Sequence, residues 1–223
     1  MPPSVLHSRC MKNNMKLQVF VYDHPLISDK LARLRSVDTD VASFRQLVEE
    51  ITVLMLYEAS KSLPTVKKTV RTPLADCQCR VLAGPPPVLV PILRAGLAMA
   101  EPLIKLFPDS PVGHVGLARD HETLEPVRYL VKLPPMADRP VWVLDPMLAT
   151  GGSVSEALGI LKEHGAARIT LFSIIAAPAG VARLEREHPD VSLFVAALDE
   201  RLNDKGYILP GLGDAGDRLY GTL

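Results

Sequence analysis

A carboxylate followed by small residues and glycines is the motif in this chain with the clearest chemistry. Asp145 ends a short apolar run, and the segment that follows it leads into a helical pattern. The order predicts a strand, a loop and a helix. Ser153 and Glu156 have the spacing of an N-terminal capping box, and Gly165 stands where a helix C-cap belongs. Because backbone N–H groups at a helix start bind anions, the loop predicts a phosphate site.

The residues around the glycines indicate which phosphate compound the loop suits. No lysine stands beside Gly151 or Gly152, so the loop is not a Walker motif, and it does not match the dinucleotide fingerprint either. Asp145 at the strand end is placed to accept hydrogen bonds from sugar hydroxyls or to hold a hydrated Mg²⁺. The combination predicts a sugar-phosphate site. The alternative is an ordinary strand–helix turn with a capping serine.

Alternating strand and helix patterns surround this loop and determine where its residues should lie. Such alternation is typical of an α/β fold with a mainly parallel sheet and right-handed crossovers. Residues 1–14 show no packing pattern, and we predict a disordered tail there before a single domain over residues 15–223. We predict helices over residues 27–35, 40–62, 96–107, 153–164 and 178–187, and strands over 88–93, 112–117, 127–133, 141–144, 169–176 and 191–198, after a β-type stretch over 66–81.

Charged side chains follow four of the predicted strands: Arg94, Arg119, Asp145 and Asp199. Because the carboxyl ends of parallel strands meet at one rim of a sheet, we expect these residues to form one site. The Arg94 guanidinium could bind two phosphate oxygens in fork geometry, or it could pair with a surface acid in a turn. Arg119 begins a polar segment, which could instead be a solvated arm.

The C-terminal segment GLGDAG, residues 211–216, satisfies the pattern G-x-G-x-x-G literally. Only seven residues follow it, so the helix, strand and ribose-binding acid of a dinucleotide site cannot follow, and an NAD-dependent oxidoreductase is discounted. Two interpretations stay open at this point. The segment is either a loop whose backbone comes close to a planar base or a glycine-rich terminal turn.

Five segments together resemble the uracil phosphoribosyltransferase family, a branch of the type I phosphoribosyltransferases. The similarity runs from about Tyr22 to the C-terminus, and the loop resembles the family's phosphoribosyl-pyrophosphate (PRPP) loop. The resemblance implies a twisted, mainly parallel sheet flanked by helices, with a β-arm and a small C-terminal hood. The segments are HPLISDKL (24–31), PILRAGL (91–97), RDHETLEPV (119–127), DPMLATGGS (145–153) and GYILPGLGDAGDRLYGT (206–222).

The resemblance also implies the reaction and the residues that take part in it. The reaction is transfer of ribose 5-phosphate from PRPP to N1 of uracil, giving UMP and pyrophosphate. The implied catalytic residues are Asp145, Arg94 and Asp214. The implied PRPP-binding residues are Arg94, Arg119, Asp145, Pro146, Met147, Leu148, Ala149, Thr150, Gly151, Gly152, Ser153 and Asp214, and the implied uracil-binding residues are Ile208, Gly213, Asp214 and Ala215.

The implied cofactor is Mg²⁺. Many type I phosphoribosyltransferases have two adjacent acids before the loop, whereas Pro146 follows Asp145 here. This departure predicts a metal held mainly by PRPP and water, with Asp214 as a candidate protein ligand. The resemblance further implies a homo-oligomer, a dimer or larger, and GTP as a candidate effector.

Composition narrows the remaining function classes. The chain has 25 basic and 25 acidic residues, and this balance argues against a broad interaction with nucleic acid or with an anionic membrane. It also disfavours the alternative function, an RNA-binding regulator that senses PRPP or UMP and would need a basic face. The three cysteines form no disulfide framework, no signal-peptide pattern is present, and no apolar run reaches spanning length. We therefore predict a cytoplasmic protein.

Overall fold

The computed structural model describes residues 16–119 and 126–222, so the predicted tail over residues 1–14 lies outside the described part. The helices are α1 (Pro25–Arg35), α2 (Val41–Ala59), α3 (Leu97–Leu106), α4 (Gly152–Glu163), α5 (Pro178–Glu187) and α6 (Ala215–Tyr220), with one 3₁₀ turn at Ser60–Ser62. The strands are β1 (Gln18–Val21), β2 (Thr65–Arg71), β3 (Asp76–Leu82), β4 (Val88–Leu93), β5 (His114–Arg119), β6 (Pro126–Lys132), β7 (Pro140–Leu144), β8 (Met147–Leu148), β9 (Arg168–Ala176), β10 (Ser192–Leu198), β11 (Arg201–Leu202) and β12 (Ile208–Leu209).

The main sheet has the strand order β1-β10-β9-β7-β4-β5-β6, and β8 pairs with the end of β9. Neighbours along this order pair in parallel, except for β5 and β6, which are antiparallel. The predicted α/β fold with a mainly parallel sheet is therefore confirmed. The pair β5–β6 differs because only six residues separate the two strands, which is too few for a crossover connection.

Alternate side chains of the central strands enter two cores, one on each face of the sheet. In β7, Trp142 and Leu144 pack with residues of α1, α2 and α3, whereas Val141 and Val143 pack with residues of α4 and α5. A strand buried on both faces needs apolar residues at every position, which explains the continuous apolar run that precedes Asp145. The first polar side chain after the strand therefore stands at the sheet's edge.

Helix α4 begins one residue earlier than predicted, and the predicted capping box is wrong. Gly151 is the N-cap, with φ of +78° and no side-chain cap, so Ser153 lies inside the first turn. Glu156 instead accepts a hydrogen bond from Arg128 at 2.5 Å. The predicted C-cap at Gly165 is confirmed. The N–H groups of Gly165 and the next residue donate to the carbonyls of Lys162 and Leu161, which is a Schellman motif.

Two small antiparallel sheets lie outside the main sheet and correspond to the expected β-arm and hood. Strands β2 and β3 form a hairpin whose residues are almost all exposed. Strands β11 and β12, with α6 and the residues between them, form the segment over 201–222 that we call the hood. Arg45 of α2 donates to the carbonyl of Leu219, which ties the hood to the helical layer. Within the described ranges, no helix combines the length and apolarity needed to cross a bilayer.

Candidate active site

The carboxyl ends of β4 and β7 place Arg94 and Asp145 on the same edge of the sheet. These strands are parallel neighbours, with Pro91 opposite Leu144, and each charged residue follows its strand directly. A side chain on Gly96 would overlap the Leu144 carbonyl oxygen and would lie 2.7 Å from two backbone atoms of Ile92. The turn after β4 thus packs directly on the end of β7. We call this edge, formed by the ends of β4, β5, β7 and β10, the rim.

The segment over residues 145–153, the phosphate loop, is fixed by backbone contacts on two sides. The Pro146 carbonyl accepts from the N–H groups of Ile174 and Ile175 in β9, each at 3.0 Å. On the other side α5 packs closely, because a side chain on Gly180 would lie 2.6 Å from the Ala149 carbonyl oxygen. Pro146, Leu148 and Gly151 are buried, whereas Met147, Ala149, Thr150 and Gly152 are half-buried and Ser153 is exposed.

The start of α4 leaves backbone donors available at the phosphate loop. The first helical hydrogen bond runs from the Ser155 N–H to the Gly151 carbonyl at 2.8 Å. The N–H groups of residues 152–154 therefore have no acceptor within the helix, and they lie at its positive end. The left-handed conformation of Gly151 makes the sharp turn from the loop into α4. The loop can bind an anion through its main chain.

Asp145 is half-buried as a residue, and its carboxyl stands among protein atoms at the end of β7. Burial raises the pKa of Asp145 to about 7, against a smaller lowering by the N–H of Met147 at 3.4 Å. The cause is desolvation, which disfavours the charged form. A carboxyl in this environment gains strongly from a cation or from hydroxyl donors, and both are present in a sugar phosphate with its metal.

Arg94 reaches from the rim toward the hood. Its guanidinium lies 3.7 Å from the Asp217 carboxylate and 5.6 Å from the centroid of the Tyr220 ring, and the Tyr220 hydroxyl donates to the Arg94 carbonyl at 3.0 Å. The side chain is 55% exposed. The alternative, a turn arginine paired with an acid, corresponds to this long and exposed contact with Asp217. Such an ion pair contributes little to stability, so the guanidinium can still bind a ligand.

The predicted uracil-binding residues lie together in the hood, close to Arg94. Ile208 and Ala215 are buried, and Gly213 has φ of +80°. The Asp214 carboxylate accepts from the Asp217 N–H at 3.0 Å and caps α6. A side chain on Gly216, two residues after Asp214, would lie 3.9 Å from Arg94. The structure therefore brings the C-terminal motif and the rim together.

The ion pair that holds the hood was missed by the sequence analysis. Arg35 donates through both terminal nitrogens to the Asp199 carboxylate, at 2.8 and 2.5 Å, and also to the Gly211 carbonyl at 2.6 Å. The Gly211 N–H returns a hydrogen bond to Asp199 at 2.9 Å. Asp199 was predicted at the rim, and it lies there, but it is committed to positioning the hood. Arg35 lies 164 residues away and carries no local signal of this role.

Arg218, which lies within the hood, strengthens the attachment of the hood to α1. Arg218 donates to the carbonyl oxygens of Leu34, Leu212 and Ser36, and its guanidinium lies 4.3 Å from the centroid of the Phe44 ring. Burial lowers the pKa of Arg218, which stays charged at neutral pH. The hood is thus clamped to the end of α1 by two guanidiniums.

The predicted position of Arg119 is only partly described. Arg119 is the last residue of β5, a neighbour of β4, so its backbone ends at the rim. Its side chain and residues 120–125 lie outside the described part. In the part that is described, no group of three or more acids, histidines or cysteines is arranged to hold a metal ion.

Comparison with known proteins gives a consistent result. A sequence model of the family described as uracil phosphoribosyltransferase matches residues 21–222. A uracil phosphoribosyltransferase from Thermus thermophilus is 54% identical over 207 residues, which cover 92% of this chain and 100% of that protein. Another from Brevibacillus brevis is 55% identical over 206 residues, with 92% and 99% covered. The range matched by the family contains Arg94, the phosphate loop and the hood.

A solved structure supports the fold independently. The structure of the AQ2163 protein from Aquifex aeolicus superposes on this chain with a TM-score of 0.86 at 41% sequence identity. The superposition covers 91% of this chain and 98% of that one, so the similarity includes the sheet and most of what surrounds it.

Proposed function

This chain belongs to the uracil phosphoribosyltransferase family, and we propose that the rim and hood are where it transfers ribose 5-phosphate from PRPP to N1 of uracil. The observation that carries the proposal is the family match over residues 21–222, which spans both parts of the site. UMP and pyrophosphate are the products. The family resemblance implies the roles of the individual residues, and their positions and environments support these roles.

The 5′-phosphate of PRPP occupies the phosphate loop. The N–H groups at the start of α4 donate to its oxygens, and Thr150 and Ser153 supply hydroxyl donors from the same loop. The backbone contacts of Pro146 and Gly180 hold the loop in this shape before substrate arrives. Binding therefore costs little reorganisation, and the phosphate fixes the position of the ribose.

Asp145 orients the ribose. Its ionised carboxylate accepts hydrogen bonds from the ribose hydroxyls, and these donors replace the water that burial has removed. Arg94 and Arg119 neutralise the pyrophosphate. The pyrophosphate departs from C1 and takes the electron pair of the broken C1–O bond. Bond breaking runs ahead of bond making, so positive charge develops on the ribose, as in glycosyl transfer generally. Catalysis consists of positioning and charge stabilisation, without a covalent nucleophile.

Uracil lies under the hood, paired with main-chain groups of Ile208, Gly213 and Ala215. Apart from the reacting N1–H group, whose proton is released as the new bond to C1 forms, uracil has one N–H donor and two carbonyl acceptors along its edges, which backbone groups can match. The Arg35–Asp199 pair fixes residue 211 on the same loop, so the spacing of these groups is set by a side-chain clamp. Asp214 faces the PRPP side of the base.

Mg²⁺ fits this site as a partner of PRPP. When bound, it supplies neutralising charge to the leaving pyrophosphate. Asp145 and Asp214 are the residues that would hold it, because a Mg²⁺ that keeps most of its ligands as water and substrate oxygens needs only one or two carboxylates. A homo-oligomer is supported by the exposed β-arm, where Val66, Val70 and Leu82 are exposed apolar residues. GTP regulation stays a prediction from the family resemblance.

The proposal is tested by comparing turnover of uracil, hypoxanthine and orotate with PRPP and Mg²⁺. We expect UMP formation from uracil and rates lower by orders of magnitude for the other two bases. In the same assay Asp214→Asn should lose most of its turnover, on the order of 100-fold, while thermal unfolding stays unchanged, because asparagine also caps a helix. Comparable rates with hypoxanthine would contradict the substrate assignment, and full activity of the variant would remove Asp214 from the site.

A further inference from the structure

We propose that Arg183, on α5, is a further binding residue for the 5′-phosphate of PRPP and of UMP. It lies outside every motif that the family resemblance contributes. The inference rests on the proposed function of the phosphate loop, and it adds a side-chain donor to a group otherwise bound by the main chain.

Arg183 lies along the two glycines of the phosphate loop. Helix α5 contacts the loop through Gly180, and Arg183 follows one turn later on the same face. Its Cβ and Cδ lie 3.4 and 3.3 Å from the position that a side chain on Gly151 would occupy, and its Nη1 lies 3.4 Å from the equivalent position at Gly152. The same point at Gly152 is 3.7 Å from the Thr150 hydroxyl. The guanidinium thus reaches the first residue of α4, whose N–H has the Thr150 hydroxyl as its acceptor at a long 3.5 Å.

Glu187 holds the Arg183 side chain in place by its inner nitrogen. The Nε of Arg183 donates to the Glu187 carboxylate at 2.9 Å. Glu187 also accepts from the buried Ser155 hydroxyl of α4 at 2.6 Å and from Arg186 at 2.6 Å. The bonds from Ser155 and Arg183 lower the pKa of Glu187 to about 2, so it is ionised at neutral pH. Because Ser155 belongs to α4, Arg183 is anchored to the helix that begins at the phosphate loop.

The terminal nitrogens of Arg183 have capacity for a ligand. Across residues 16–119 and 126–222, the hydrogen bonds of Arg183 involve only Nε. Two guanidiniums, Arg183 and Arg186, flank the single Glu187 carboxylate, which leaves one net positive charge beside the loop. A phosphate dianion complements that charge, and the guanidinium fork matches its oxygens.

The test compares Arg183→Gln with Arg186→Gln. Both substitutions remove one positive charge and one donor to Glu187, but only Arg183 reaches the loop, and glutamine keeps part of the aliphatic stem. Dissociation constants for PRPP and UMP are measured by calorimetry, and pyrophosphate is measured as an inhibitor that lacks the 5′-phosphate. For Arg183→Gln we expect PRPP and UMP to bind about tenfold more weakly, which is the loss of one charge-assisted bond, with pyrophosphate inhibition within twofold of wild type. Arg183→Lys should recover part of the affinity.

Three results would overturn the inference. They are unchanged PRPP and UMP affinity in Arg183→Gln, an equal loss in Arg186→Gln, or an equal weakening of pyrophosphate. An equal loss in Arg186→Gln would mean that any nearby positive charge has the same effect. An equal weakening of pyrophosphate would mean that the substitution distorts the rim. If Arg183→Gln does not fold, Arg183→Lys decides: weaker binding of PRPP and UMP with unchanged pyrophosphate inhibition supports the inference. Unchanged affinity for all three ligands, or an unchanged ratio of UMP to pyrophosphate affinity despite weaker PRPP binding, contradicts it. Wild-type protein without uracil turnover would instead refute the proposed function.

Discussion

The phosphate loop and the hood contribute to one site but are held in different ways. The loop is fixed by main-chain contacts with β9 and α5, elements that follow it within about 40 residues. The hood is attached by the side chains of Arg35 and Arg218, which bond groups 164 to 184 residues away along the chain, and Arg218 also bonds Leu212 within the hood. The part that binds the phosphoribosyl donor is thus built locally, and the part that selects the base depends on long-range ion pairs and hydrogen bonds.

This difference predicts that substitutions will act by different physics in the two regions. At Gly96 on the rim and Gly180 beside the loop, neighbouring backbone atoms leave no room for a side chain. Substitutions that add atoms there should therefore have the largest effects. At the hood, two half-buried guanidiniums bond carbonyls and one carboxylate, so the removal of a charge or an acceptor should have the larger effect. The following substitutions test the distinction, beginning with the largest expected effect.

Gly96→Ala should have the largest effect. The added methyl group overlaps the Leu144 carbonyl, so the turn bearing Arg94 must move away from the end of β7. We expect the free energy of unfolding to fall by about 3 kcal/mol and kcat/KM for PRPP to fall on the order of 100-fold, because a shift of about 1 Å misplaces Arg94. Chemical denaturation and steady-state kinetics measure the two effects.

Gly159→Ala is the matched control for that substitution. Gly159 lies inside α4 with nothing within 4 Å of the position of an added side chain. Alanine there should stabilise the protein by about 0.5–1 kcal/mol, because it is a better helix former than glycine. If Gly96→Ala were as stable and as active as Gly159→Ala, steric fit would not be what holds the rim.

Asp199→Asn should have the next largest effect and should act on uracil. The change leaves Arg35, whose side chain is 22% exposed, without its charge partner, so we expect a loss of about 2 kcal/mol in unfolding free energy. The KM for uracil should rise about tenfold, an effect of the size of one lost bond to a charged group, while the dissociation constant of PRPP changes less than twofold.

Glu50→Gln is the control for the hood substitution. Glu50 pairs with Lys30 at 2.5 Å between α1 and α2, and both side chains are partly exposed. Breaking that pair should change stability by less than about 1 kcal/mol and leave both substrates unaffected. An Asp199→Asn variant that lost PRPP affinity as strongly as uracil affinity would show that the two regions are not separable.

The same difference explains how far the sequence alone could lead. The phosphate loop was predicted because strand, loop and helix are contiguous, and because a parallel sheet brings strand ends to one rim. The capping box failed because Ser153 and Glu156 satisfy a spacing, whereas the left-handed turn at Gly151 decides where α4 begins. Arg35 could not be found, because it acts on a segment 164 to 176 residues away and no local pattern records that contact. Arg183 is closer to the loop in sequence but stands in no recognised motif, and its approach depends on how α5 packs on the loop.

The ionisation of Asp145 gives the smallest predicted effect on kcat/KM, and this effect is the one that depends most on pH. Burial raises its pKa to about 7, and the ionised form is the one that accepts hydrogen bonds from the ribose. In free enzyme the carboxyl is therefore mostly protonated below pH 7 and mostly ionised above it. We expect kcat/KM for PRPP to rise with pH through about 7 and to level off above pH 8. Asp145→Asn should be less active and should lack this rise.

Thermal stability tests the same carboxyl without substrate. The folded-state pKa of Asp145 exceeds its unfolded value of 3.8, so the folded state binds more protons between pH 4 and pH 7. Stability from this group is full below pH 4 and is lost as pH rises through about 7, because the buried carboxyl must then ionise. Asparagine does not titrate, so the unfolding midpoint of Asp145→Asn relative to wild type should rise from pH 4 to pH 8. A constant difference would mean that Asp145 is solvated in the free protein, and the rim would then bind ribose by exposed charge instead of by a pre-formed, water-poor pocket.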